Sequence, residues 1–192
     1  MTVRQWVRIT PECVVISGEP LATQTSGAAM LTEVYRSRIG DYPKFYKMDE
    51  LTKLGFLVAE LLLQADGVQP SDEDTAAHGE GEDRSIMLFG RSGSVCNDRK
   101  YQQTIDAVDN YFPSPAIFVY TLPNIVTGEI AIRNHYHCET AFYLLPRRNE
   151  TLISQMTEAV LCDCAACSVI SGWVDYESDN QFEACLELCI KE

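Results

Sequence analysis

The chain has no run of roughly eighteen uncharged apolar residues, the length a membrane-crossing helix needs. Its first residues, Met1-Thr2-Val3-Arg4-Gln5-Trp6, lack the apolar stretch and small-residue cleavage site of a secretory signal. These absences argue against a membrane partner and predict a cytoplasmic protein. Cations are also scarce: 15 Lys and Arg stand against 28 Asp and Glu, a formal charge of −13. A phosphate-binding surface needs clustered Lys and Arg, so nucleic acid is excluded as a partner. Much of the excess is local. Asp66, Asp72, Glu73, Asp74, Glu80, Glu82 and Asp83 lie among Gly67, Pro70, Gly79 and Gly81 with no cation between them, which predicts a solvated, flexible acidic loop at about 66–84.

Other motifs are incomplete. Cys162-Asp163-Cys164-Ala165-Ala166-Cys167, followed by Cys185 and Cys189, offers only one C-x-x-C unit, whereas zinc knuckles pair two. With no secretory signal, the cysteines read as reduced thiols packed like small hydrophobes, and no metal is implied. Gly90-Arg91-Ser92-Gly93-Ser94 lacks the second glycine spacing of a hydrolase elbow and the Lys of a phosphate loop. It reads as a strand-to-helix turn with Asp98 as the cap, and no cofactor is implied. Histidine is rare too, with three in the chain. His135 and His137, beside Cys138, could share a metal or move a proton, but no third ligand stands at a known spacing.

What is present is an alternation of strand and helix periods over an ordinary globular length, which predicts a single α/β domain over 1–192. Val3–Ile9 and Cys13–Ser17 read as a strand pair. Asp49 caps an apolar helix carrying Leu51, Leu54, Leu57, Val58, Leu61 and Leu62. Ser85–Phe89 reads as an interior strand, Arg99–Phe112 as a helix, Ala141–Leu145 as a strand, and Asn149 as the cap of a helix facing inward with Leu152, Ile153, Met156 and Val160. Ser168–Tyr176 and Gln181–Lys191 form a hairpin across Glu177-Ser178-Asp179-Asn180.

Three blocks carry a resemblance. Ser114–Ile132 (SPAIFVYTLPNIVTGEIAI), Phe45-Tyr46-Lys47-Met48-Asp49 and the run LFGRSGSVCNDRKYQQTI resemble the β-ketoacyl synthases, the first being similar to the stretch that leads into their nucleophile strand. Gly172-Trp173-Val174-Asp175 sits where that family has a glycine-rich strand end. Closest in order of elements are the short ketosynthase-like N-terminal domains of aryl-polyene and related pigment pathways. The resemblance implies the N-terminal half of a thiolase-like fold: three α/β/α layers on a mainly parallel five-stranded sheet that ends in the antiparallel hairpin.

It also implies what is missing. The family places its nucleophilic cysteine at the turn that here reads Leu145-Pro146-Arg147-Arg148-Asn149, and the C-terminal motifs carrying its decarboxylation histidines have no counterpart. The expectation is a ketosynthase-like accessory protein of fatty-acid or polyketide-type biosynthesis without condensing activity. Its partner would be a second copy or an active ketosynthase subunit, with acyl carrier protein a further candidate. The enzymatic alternative is an acyl-processing site on Cys138, His135 and His137. In an isolated half-fold, the apolar face of the 149–161 helix would need a partner, or a cover from Trp173, Tyr143 or the 20–40 region.

Overall fold

The computed structural model describes residues 1–67, 84–106, 111–163 and 167–191. Its strands are β1 (Thr2–Ile9), β2 (Val14–Ile16), β3 (Glu19–Leu21), β4 (Arg84–Gly90), β5 (Thr140–Leu144), β6 (Ser168–Ser178) and β7 (Gln181–Ile190). The helices are α1 (Gly27–Arg38), α2 (Glu50–Ala65), α3 (Val95–Gln103), α4 (Pro115–Val119), α5 (Ile125–Asn134) and α6 (Glu150–Asp163). One 3₁₀ turn spans Pro43–Lys47. No described helix is long and apolar enough to cross a membrane.

All seven strands join one sheet in the order β3-β2-β1-β7-β6-β4-β5. The expected mainly parallel five-stranded sheet is therefore corrected. Among the described strands only β4–β5 and β4–β6 are parallel, and helices connect β4 to β5 and β5 to β6. The amino-terminal meander and the β6–β7 hairpin add antiparallel pairs, and β7 inserts between β6 and β1. Helices still cover both faces, so the three-layer arrangement holds.

The alternation of side chains assigns the two faces. Ile170 and Val174 of β6, with Leu186 and Leu188 of β7, join a core beneath α1, α2 and α5, while Val169 and Trp173 join a second core beneath α6. Helix α2 is the centre of the first core. Asp49 Oδ1 accepts the Thr52 amide at 3.1 Å, and Leu54, Leu57 and Leu62 are fully buried, each worth about 1.5–3 kcal/mol. A Cβ on Gly55 would overlap Val126, so the glycine is what lets α5 lie against α2.

Helix α6 turns Ile153, Thr157 and Leu161 inward and exposes Thr151, Ser154, Gln155 and Glu158. The expected uncovered apolar face is absent, since its outward positions are polar. Trp173 and Tyr143 pack in the core beneath α6, whereas α1, from the 20–40 region, packs on the opposite face.

Two further expectations change. Helix α3 begins at Val95, so Asp98 lies in its first turn rather than at its cap, and the helix ends at Gln103, well short of Phe112. Most of the acidic stretch lies outside the described residues. Its first member, Asp66, is buried rather than solvated, pairing with Arg4 at 2.8 Å and Arg84 at 3.5 Å.

Candidate functional site

The carboxyl ends of β4, β5 and β6 lie together at one end of the sheet, the place where open α/β sheets bind ligands. After β4 the chain must turn sharply into α3. Gly90 has no room for a side chain, since a Cβ would overlap the Val174 carbonyl oxygen. Gly93 adopts φ +55°, which glycine tolerates. Asp175, at the end of β6, fixes the turn by accepting the amides of Arg91 at 3.0 Å and Ser92 at 2.7 Å. The Ser92 hydroxyl donates to Asp175 and Glu177, and Arg91 pairs with Glu177. The amides that a phosphate cradle would present are thus occupied by the protein's own carboxylate.

The turn after β5 is held in the same way. The Leu145 amide donates to the Gly90 carbonyl at 2.8 Å, Pro146 and Arg147 are exposed, and Asn149 Oδ1 caps α6 by accepting the Leu152 amide at 3.2 Å. Arg148 is drawn inward. Its Nε donates to Glu150 at 2.5 Å and its Nη1 to Glu183 of β7 at 3.0 Å. Glu183 also accepts Arg8 Nε of β1 at 3.1 Å, so one carboxylate joins two arginines from distant segments. Cys185, on the same face of β7, is half-buried; burial pushes its thiol pKa up, and the neighbouring Arg148 opposes that shift.

Between the turn after β4, the end of β1 and the β6–β7 hairpin lies an open cleft of about 350 Å³. Arg8, Arg91, Trp173, Asp175, Glu177 and Glu183 contribute to its lining. Its described walls offer guanidinium and carboxylate groups, but no imidazole or thiol.

The structure places the other candidates elsewhere. His135 ends α5 in a left-handed conformation, φ +55°, and is exposed, as is His137, while Cys138 is half-buried on the way into β5. None of the three reaches the cleft. Cys162 is exposed at the end of α6, Cys185 and Cys189 lie on β7, and Cys164 lies outside the described residues. Among the described residues no three His, Cys, Asp or Glu side chains converge on a metal position. The Asp175 anchor and the Arg8–Glu183–Arg148 bridge were not legible in the sequence. Strand alternation puts Glu183 and Cys185 on one face, but nothing local pairs them with Arg148.

No protein-family model matches the chain, and no curated relative matches it significantly. Solved structures do. The ishigamide ketosynthase/chain length factor superposes with a TM-score of 0.66 at 16% identity, covering 98% of this chain and 61% of that one. The complex of the ketosynthase ApeO with its chain length factor ApeC from Xenorhabdus doucetiae gives 0.58 at 13%, covering 100% and 80%. AntDE:AntF, a type II PKS acyl-carrier protein in complex with its ketosynthase bound to the hexaketide, gives 0.60 at 12%, covering 98% and 62%. The chain thus spans about three fifths of the length of two of these proteins. Its fold is that of the ketosynthase and chain-length-factor proteins.

Proposed function

We propose that the chain is a ketosynthase-like accessory protein of polyketide or fatty-acid-type biosynthesis, non-condensing by itself, which pairs with an active ketosynthase as a chain length factor does. The observation that carries this reading is the turn after β5. Where the resemblance calls for an activated thiol at a helix N-terminus, Arg148 is bound to Glu150 and Glu183. A guanidinium is not an acyl acceptor, and one held by two carboxylates serves to fix the turn.

A partner is supported by where apolar surface remains. Phe112, Phe118, Val119, Leu122, Ile132 and Leu144 are all exposed large hydrophobics within the segment that precedes or forms β5. This surface includes the Ser114–Ile132 block; the polar outer face of α6 does not contribute to it.

Incubation with an activated acyl thioester, followed by intact-mass measurement and peptide mapping, tests the catalytic half of the reading. The expected result is no adduct on Pro146–Asn149. An acyl group mapped to Cys138 would replace this reading with the acyl-processing site on Cys138, His135 and His137.

A further inference from the structure

We draw no further inference here: the strongest candidate, the cationic surface patch that Arg36, Arg38, Lys44 and Lys47 form around the exposed Tyr46 at the end of α1, carries nothing new, because docking of an acidic acyl carrier protein on it restates an established property of the ketosynthase family.

Discussion

Asp175 accepts the backbone amide of Ser92 at 2.7 Å and thereby ties the end of β6 to the turn that follows β4. The carboxylate is buried and serves two amides, so Asp175→Ala leaves both donors without a partner. We expect a loss of about 1–3 kcal/mol in denaturant unfolding, with Asp175→Asn recovering part of it. A wild-type midpoint in Asp175→Ala would show that the turn is held by its ion pairs instead.

Gly172 sits inside β6 at φ +148°, and a Cβ there would overlap the Cys185 carbonyl of the paired strand. Backbone strain and strand separation add. Gly172→Ala should destabilise by at least about 3 kcal/mol or prevent soluble expression, although it adds a single methyl group. Circular-dichroism melting measures this directly, and a change under about 1 kcal/mol would refute the close approach.

Burial pushes the carboxyls of Asp49, Glu60 and Glu187 above their ordinary range. A raised folded-state value means that the folded chain binds more protons than the unfolded one, from the unfolded value near about 4 upward, so stability falls as pH rises through that window. Glu33, held low by the Thr25 hydroxyl and the Gln24 amide, acts in the opposite sense. The thermal midpoint is therefore expected to fall as pH rises from about 4.5, with a shallower fall in Glu60→Gln. A midpoint that falls steadily on acidification over this range would contradict the burial of these carboxyls.

Leu122 is exposed beside α5 and makes no contribution to either core. Leu122→Asp should leave thermal stability within about 0.5 kcal/mol of wild type while weakening ketosynthase binding by about tenfold. Isothermal titration with the partner, alongside a melting curve, separates the two effects. Unchanged affinity would remove this segment from the interface.

The elements with strong local signals were legible before folding. Asp49 precedes an unbroken helical run, the Ser85–Phe89 segment has nothing but apolar and small residues, and the hairpin's second strand has ten alternating positions after a polar link. What escaped the sequence was nonlocal. The pairing of β7 with β1 joins Thr2 to Ile190, at opposite ends of the chain, and no period in either strand announces it. Strand β3 is three residues with a proline in its middle and exists only because β2 offers a ladder. The helix that a complete two-sheet fold would bury shows Ser154, Gln155 and Glu158 on its outward side, and that polarity was readable in the sequence once the inward side was fixed. The site followed the same rule: the resemblance pointed to the turn before Asn149, but the hold that Glu183 keeps on Arg148 spans 35 positions and needed the structure.

Association with a ketosynthase is the property on which the proposed function depends. Sedimentation velocity of the chain, a purified type II ketosynthase and their mixture measures this directly. We predict a single faster boundary containing both proteins in equal amounts, while the chain alone sediments as a monomer at every concentration tested. Two independent boundaries in the mixture, at the positions of the separate proteins, would contradict the central claim.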